Sequence, residues 1–278
     1  MKTYTVNLKE QYPFLGENGC DPVLDAYIQD NPFAYVGIEK ILRPAMLVLP
    51  GGGYQHLCPR EGEPFALEFS AEGYQTFVLN YSVAPNKYPT QLLEVAASID
   101  YIVTHCEELS VDVDKIVISG FSAGGHLASS YCTMAERPEI TEKIKPTKPA
   151  AAVLAYPVIT ATGNTHKGTF QALSGHENLT DEEIEKYSSE KHVCDFTPPT
   201  FIFATSEDNA VPVRNSLLYA NALAENGILT ETHIYPFGPH GMSTAKFGTL
   251  SDFDELFAKY ASTWINDAKR FLKQILGY

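Results

Sequence analysis

The sequence has no excess of basic residues: among its 278 residues, 34 are acidic and 20 are basic, which gives a formal net charge of −14. Nucleic acids and anionic membrane surfaces would repel such a chain, so neither is an expected partner. No apolar run approaches the ~20 residues that cross a bilayer. The segment 1–6 also lacks the apolar region of a secretory signal, and we therefore expect a cytoplasmic protein.

Paired cysteines and clustered metal ligands are also missing. The five cysteines are an odd number, are scattered along the chain and form no C-x-x-C motif. This usage is typical of reduced thiols in a cytoplasm. The glycine-rich stretch 51–53 is not followed by the Lys and Ser/Thr pair of a P-loop, and it does not fit the dinucleotide fingerprint. We expect neither a metal nor a cofactor.

What the sequence does contain is a regular alternation of apolar runs with amphipathic segments. The predicted strands are 45–49, 76–81, 116–118, 151–156, 200–205 and 230–235, and the predicted helices are 63–72, 89–108, 125–135, 212–226 and 253–276. Such alternation predicts an α/β fold with a mostly parallel central sheet and helices on both faces. Two further β-prone fragments, 4–8 and 33–36, predict antiparallel edge strands. We expect one domain over residues 1–278.

Residues 157–197 interrupt this alternation. They are polar, rich in Thr, Gly, His and Glu, and could hold two short helices. Because connections this long are usually functional, we predict a small cap-like insertion over the active site. The segment has no long apolar helical stripe of the kind that a lipase lid presents to an oil surface. A small, polar substrate is therefore expected.

A nucleophile motif lies between a predicted strand and a predicted helix. Residues 120–124 read G-F-S-A-G and directly follow the β-branched run 116–118. A serine at a sharp strand-to-helix turn is exposed above the sheet, and the positions two before and two after it lie too close together for a Cβ. We interpret Ser122 as a catalytic nucleophile. The alternative interpretation is a glycine-rich turn with an incidental serine.

A serine nucleophile needs a base that takes its proton and an acid that orients the base. In this kind of site the acid and then the histidine follow the serine along the chain, each after a strand. Asp208 follows the strand 200–205 and is the predicted acid, with Glu207 as the competitor one position earlier. His240 is the only histidine after the last predicted strand, so it is the predicted base.

Acyl transfer also needs hydrogen-bond donors for the oxyanion. The stretch 51–53 follows a buried strand and offers backbone N–H groups on residues without side chains. A further donor is the N–H of Ala123, which directly follows Ser122 in the strand-to-helix turn, called the nucleophile elbow. Gly52, Gly53 and Ala123 are the predicted oxyanion hole.

Three side chains are candidates for binding the substrate. Tyr54 and Tyr156 follow or end strands at the active face, where a ring can stack on a sugar, although strand-end core aromatics give the same pattern. His56 is a candidate for lining the site, whereas His126 is expected to serve helix packing or a hydrogen bond. The remaining histidines are interpreted as ordinary polar or surface residues: His105, His166, His176, His192 and His233.

Several stretches together resemble a known family. They are P-G-G-G-Y at 50–54, G-F-S-A-G-G-H-L-A at 120–128, Y-S-S-E-K-H-V at 187–193, T-P-P-T-F at 197–201, V-P-V at 211–213, N-S-L-L at 215–218 and H-G at 240–241. With these stretches the chain resembles α/β-hydrolase esterases of the acetyl-xylan esterase and feruloyl-esterase-like carbohydrate esterase group, in the hormone-sensitive-lipase-like branch.

The resemblance implies an α/β-hydrolase fold and a serine carboxylic-ester hydrolase. Such an enzyme would use a Ser-His-Asp triad and an acyl-enzyme to remove short acyl groups, above all acetyl, from carbohydrates or other small polar esters. The expected partner is thus a small-molecule acyl ester such as an acetylated sugar, and a homo-oligomer is possible. Two alternatives stay open: an arylformamidase or peptidase with the same triad, and a catalytically silent binding protein. Silent members typically lose the serine or the histidine.

Overall fold

A computed structural model describes residues 1–16, 19–38, 40–246, 248–249 and 260–278. Within these residues a single sheet has the strand order β1-β2-β4-β3-β5-β6-β7-β8. The strands are β1 (Lys2–Asn7), β2 (Val23–Ile28), β3 (Arg43–Leu49), β4 (Gln75–Asn80), β5 (Val111–Phe121), β6 (Ala151–Ala155), β7 (Thr200–Thr205) and β8 (Thr230–Tyr235). Strands β3 to β8 pair in parallel, whereas β1–β2 and β2–β4 are antiparallel. The predicted mostly parallel sheet is confirmed.

Helices cover both faces of this sheet. They are α1 (Glu63–Ser70), α2 (Thr90–Thr104), α3 (Cys106–Leu109), α4 (Ala123–Met134), α5 (Pro138–Thr141), α6 (Lys167–Ser174), α7 (Asp181–Tyr187), α8 (Arg214–Glu225) and α9 (Trp264–Leu276). Successive strand residues point to opposite faces, so Leu47 belongs to one apolar cluster and Val48 to another. Helices α2, α4 and α8 pack in the first cluster, and α1 and α9 pack in the second.

Three sequence predictions differ from the structure in detail. Residues 33–36 are not a strand, because Ala34–Val36 form a 3₁₀ turn that ends at Gly37 with a φ of 82°. The single helix predicted over 89–108 is divided at His105 into α2 and α3. The final helix was predicted over 253–276; residues 253–259 lie outside the described residues, and α9 begins after a turn at residues 262–263.

The connection between β6 and β7 contains α6 and α7, which correspond to the two short helices predicted in this segment. Thr180 and Glu183 form a capping box at the start of α7. The segment is fastened to the body of the fold, since Asn215 Oδ1 accepts hydrogen bonds from the N–H groups of Ile159 and Thr160. Of the helices in the described residues, none combines the length and apolar character needed to cross a bilayer.

Candidate active site

The turn between β5 and α4 forces Ser122 into an unusual backbone conformation, with φ 53° and ψ −118°. A Cβ on Gly120 would lie 2.1 Å from the carbonyl oxygen of Gly124, and a Cβ on Gly124 would lie 2.1 Å from that of Leu49. Only glycine fits at either position, as the sequence predicts. The strained turn places the serine at the carboxyl end of the central strand β5, next to β3 and β6.

Ser122, His240 and Asp208 form one chain of hydrogen bonds. Asp208 Oδ2 lies 2.6 Å from Nδ1 of His240, and Nε2 of His240 lies 2.8 Å from Ser122 Oγ. Because a carboxylate oxygen accepts, Nδ1 carries the proton of the neutral ring and Nε2 accepts from the serine hydroxyl. The arrangement leaves the imidazole ready to take the proton of Ser122.

The two adjacent acids have different surroundings. Asp208 is buried, and its Oδ1 accepts hydrogen bonds from the N–H groups of Ala210 and Val211 at 2.9 and 2.8 Å. Glu207 is exposed and accepts a hydrogen bond from the N–H of Gly238. It is thus Asp208 that contacts His240, whereas Glu207 holds the loop on which the histidine lies.

The loop after β3 carries the predicted oxyanion donors. Gly52 and Gly53 have φ values of 127° and 65°, and a Cβ on Gly52 would lie 2.0 Å from the carbonyl oxygen of His56. The N–H of Gly51 donates to Glu61 Oε2 at 2.8 Å. The N–H groups of Gly52 and Gly53 have no acceptor among the described residues. Ala123 is the first residue of α4, where backbone N–H groups have no partner within the helix.

A buried glutamate fixes this loop. Besides the N–H of Gly51, Glu61 accepts a hydrogen bond from the hydroxyl of Tyr156 at 2.8 Å through Oε1. Its burial raises the pKa of the carboxyl group, and the hydrogen bonds from Tyr156 and Gly51 lower it in part. Sequence reasoning did not find this residue. It lies eight residues after Gly53, in the 3₁₀ turn Pro59–Glu61, and no motif in the sequence marks it.

A cavity of about 310 Å³ opens on Ser122 and His240. Gly52, Gly53 and His56 line it, as the sequence predicts for His56. Its other lining residues were not predicted; they are Gln55, Cys58, Arg60, Glu61, His166, Ala210 and Gly241. Most of them carry polar groups, so the wall offers many hydrogen-bond donors. His166 was interpreted as an ordinary polar residue, because its sequence neighbours give no sign that α6 begins beside the serine.

Tyr54 and Tyr156 do not face the cavity, which corrects their expected role as rings for sugar stacking. The two residues are only 1% and 2% exposed. The hydroxyl of Tyr54 lies 2.9 Å from Nδ1 of His126, and that of Tyr156 contacts Glu61 and accepts from the N–H of Ser243 at 2.7 Å. Both rings thus lie in the core and support the residues behind the site. An aromatic residue at the end of a strand can face the core as well as the surface, which is why the sequence did not distinguish the two roles.

His126 joins the elbow helix to the segment after α7. Its Nε2 donates to the carbonyl oxygen of Tyr187 at 2.8 Å, and its Nδ1 accepts from Tyr54. Burial lowers the pKa of His126 to about 4, so the ring is neutral at pH 7. The predicted role in packing or hydrogen bonding agrees with these contacts. In the part of the chain that the structure describes, no group of three or more His, Cys, Asp or Glu side chains could hold a metal ion.

A family model named BD-FAE matches residues 37–223, which include the glycine loop, the elbow and the segment between β6 and β7. This match covers more than half of the chain. The protein belongs to the BD-FAE family. Its fold is that of the α/β-hydrolases, as in the solved structures below.

Two solved structures are similar to this BD-FAE protein over nearly the whole chain. An acetyl ester-xyloside bifunctional hydrolase from Caldicellulosiruptor lactoaceticus has a TM-score of 0.83 and 34% identity, covering 98% of this chain and 96% of that one. The carboxylesterase Cest-2923 from Lactobacillus plantarum WCFS1 has a TM-score of 0.82 and 28% identity, covering 99% and 98%.

Curated relatives are longer proteins. The chain is 38% identical to an endo-1,4-beta-xylanase B from Butyrivibrio fibrisolvens, over 83% of this chain and 36% of that protein. It is 29% identical to an acetylxylan esterase from Xylanibacter ruminicola, over 80% of this chain and 45% of that protein. The BD-FAE chain thus spans less than half the length of both relatives.

Proposed function

We propose that the protein is a serine carboxylic-ester hydrolase that removes short acyl groups, above all acetyl, from carbohydrates or other small polar esters. The observation that carries this proposal is the hydrogen-bonded chain from Asp208 through His240 to Ser122 at a polar cavity. A serine with a hydrogen-bonded imidazole and an orienting carboxylate is the arrangement that acyl transfer requires.

In the proposed reaction, His240 Nε2 takes the proton of Ser122 as Oγ attacks the ester carbonyl carbon. The negative charge that develops on the carbonyl oxygen is stabilised by the N–H groups of Gly52, Gly53 and Ala123. His240 then gives the proton to the leaving alcohol, and an acyl-enzyme remains on Ser122. A water molecule, deprotonated by the same imidazole, releases the acid and restores the serine. Asp208 holds the ring in the tautomer that can accept at Nε2.

The substrate assignment is supported by the cavity wall and by the relatives. His56, Gln55 and Arg60 line a small cavity, and such donors suit hydroxyl groups better than long acyl chains. One structural neighbour is an acetyl ester-xyloside hydrolase, and one relative is an acetylxylan esterase. A small-molecule acyl ester such as an acetylated sugar is therefore the proposed substrate. A cytoplasmic location and a homo-oligomer remain parts of the hypothesis.

We also propose that residues 1–278 form one domain in which 157–197 act as a small cap. Support comes from His166, a residue of this segment that lines the same cavity as Ser122. Asn215 and the N–H groups of Ile159 and Thr160 provide the attachment of the segment to α8.

A panel of substrates tests the proposed function. The purified protein should hydrolyse acetyl esters at least ~10-fold faster than octanoyl esters, which corresponds to ~1.4 kcal/mol in transition-state binding. Acetylated xylo-oligosaccharides should be deacetylated, and triglyceride emulsions should not. A preference for octanoyl or feruloyl esters would contradict the short-acyl assignment. Turnover of formyl-amides or peptides alone would favour the arylformamidase or peptidase alternative, and complete inactivity would favour a binding protein.

A further inference from the structure

His166 is a part of the cavity wall to which the reaction described above gives no role. It lies in the segment between β6 and β7, immediately before α6, and is half-buried. The ring lies beside the glycine loop, since a Cβ on Gly53 would be 3.7 Å from Cε1 of His166. Ser122, His240 and His166 all line the one cavity. A group bound to the serine therefore lies in the same cavity as this imidazole.

The contacts of His166 determine which nitrogen carries the proton. Nδ1 accepts from the backbone N–H of Thr169 at 3.3 Å and lies 2.8 Å from Thr169 Oγ1, so the side chain caps the N-terminus of α6. A backbone N–H can only donate, so Nδ1 must accept with its lone pair and is not protonated. The proton of the neutral ring is therefore on Nε2. Burial and the nearby His240 lower the pKa of His166, which favours this neutral form.

The Nε2–H group has no acceptor among the residues that the structure describes. A capping histidine serves its helix through Nδ1 alone, so the second nitrogen is available for a ligand. The oxyanion already has the N–H groups of Gly52, Gly53 and Ala123. What remains for His166 is the alcohol part of the ester.

We propose that Nε2–H of His166 donates a hydrogen bond to an oxygen of the alcohol part of the substrate, a hydroxyl or ring oxygen close to the ester. This inference rests on the proposed esterase function and adds a residue that determines specificity for the alcohol. The cap of α6 fixes the orientation of the ring, so the donor is directed before the substrate binds. Alcohols that carry such an oxygen gain from this contact, and plain aryl alcohols do not.

The experiment compares two esters of the same acid. One is an acetylated methyl xyloside, and the other is phenyl acetate, whose alcohol has no additional oxygen. His166→Asn is the main variant, because asparagine is a good N-cap but its amide is too short to reach as far into the cavity. His176→Asn is the matched control: it is the same substitution in the same segment, on an exposed side chain bonded to Glu183.

We expect His166→Asn to lower kcat/KM for the xyloside ester about 10-fold, the effect of losing one hydrogen bond of ~1.4 kcal/mol. Activity on phenyl acetate should fall far less than activity on the xyloside ester, and the melting temperature should stay close to the wild-type value. All properties of His176→Asn should stay close to those of the wild type. His166→Ala should show the same loss of selectivity together with a lower melting temperature, because it also removes the cap.

Equal losses on both esters would overturn the inference, since they would assign His166 to the oxyanion or to structure alone. Unchanged activity on both esters would overturn it as well. These results differ from a failure of the proposed function, in which the wild-type protein itself hydrolyses no ester, and in that case the inference falls with it.

Discussion

Oδ2 of Asp208 lies 2.6 Å from Nδ1 of His240, and the carboxyl group is almost completely inaccessible to solvent. Glu207, one residue earlier, is exposed and contacts a backbone N–H on the neighbouring loop. Asp208→Asn should lower kcat by ~10⁴, because an amide in this place favours the wrong tautomer of the imidazole. Glu207→Gln should have a mild effect. Steady-state kinetics of both variants on an acetyl ester measure the difference.

The reverse order of effects would identify Glu207 as the orienting acid. The fold of both variants is checked by circular dichroism and thermal unfolding, so that a loss of activity is not attributed to misfolding. Since Asp208 also accepts from Ala210 and Val211, a modest decrease in stability of Asp208→Asn is consistent with the assignment.

Ser122→Ala should abolish turnover and leave the fold intact. Loss of a triad nucleophile lowers kcat on the order of 10⁶-fold, whereas deleting one hydroxyl at the cavity changes little packing. The check is esterase activity together with the melting temperature. A fluorophosphonate probe should label the wild-type protein at Ser122 and leave the alanine variant unlabelled. Near wild-type activity of Ser122→Ala, or an adduct on another residue, would contradict the nucleophile assignment.

Gly124→Ala should both destabilise the protein and inactivate it. The added Cβ would lie 2.1 Å from the carbonyl oxygen of Leu49, so either α4 or β3 must shift. We expect a loss of about 1–3 kcal/mol in the free energy of unfolding, measured by urea denaturation. Gly16→Ala is the control, because among the described residues other than its chain neighbours the nearest atom to its Cβ would be 4.0 Å away, on the side chain of Lys9. Equal stability of the two variants would show that the elbow tolerates a Cβ.

The sequence allowed prediction of those parts of the site that depend on local chain geometry. Gly120 is required because of contacts within one strand–turn–helix unit, whereas Gly124 is required because it lies against the carbonyl oxygen of Leu49 on the neighbouring strand β3. The motif and the preceding β-branched run were nevertheless sufficient to predict both glycines. The serine, the acid and the histidine come together because the loops after successive parallel strands meet at one edge of the sheet.

The cavity wall could not be predicted in the same way. His166 and Arg60 line the cavity of Ser122 from distant parts of the sequence. The placement of His166 depends on how the connection between β6 and β7 packs against the sheet, and that of Arg60 depends on the path of the chain between β3 and α1. Tyr54 and Tyr156 were ambiguous for a related reason. A tyrosine at or just after the end of a strand can point into the core or into the cavity. Here the hydroxyls of Tyr54 and Tyr156 are held in the interior by His126 and Glu61, which are distant in the sequence.

The burial of Glu94 leads us to expect a pH dependence of the free energy of unfolding that is unrelated to the reaction. It is fully buried on α2, where its oxygens accept from the N–H and the hydroxyl of Ser82. Burial raises the pKa of Glu94 from 4.5 to about 7. Between these two values the folded protein retains a proton that the unfolded chain has released. The contribution of Glu94 is therefore fully present below pH 4.5 and is lost as the pH rises to about 7.

The variant Glu94→Gln separates this effect from all other titrations. Its amide is neutral at every pH and has a carbonyl oxygen for the N–H of Ser82 and an NH₂ group for the hydroxyl. Urea denaturation of both proteins at pH 4.5 and pH 8 gives the difference in the free energy of unfolding at each pH. From pH 4.5 to pH 8, the difference in the free energy of unfolding should shift by about 3 kcal/mol in favour of the variant. This value follows from the change in the pKa of Glu94 at about 1.36 kcal/mol per pKa unit.

Because His126 titrates equally in both proteins, its opposite effect on stability cancels in the comparison. Glu136→Gln, at an exposed position, should show no such shift. A constant difference between wild type and Glu94→Gln would mean that Glu94 is ionised in the folded protein at both pH values.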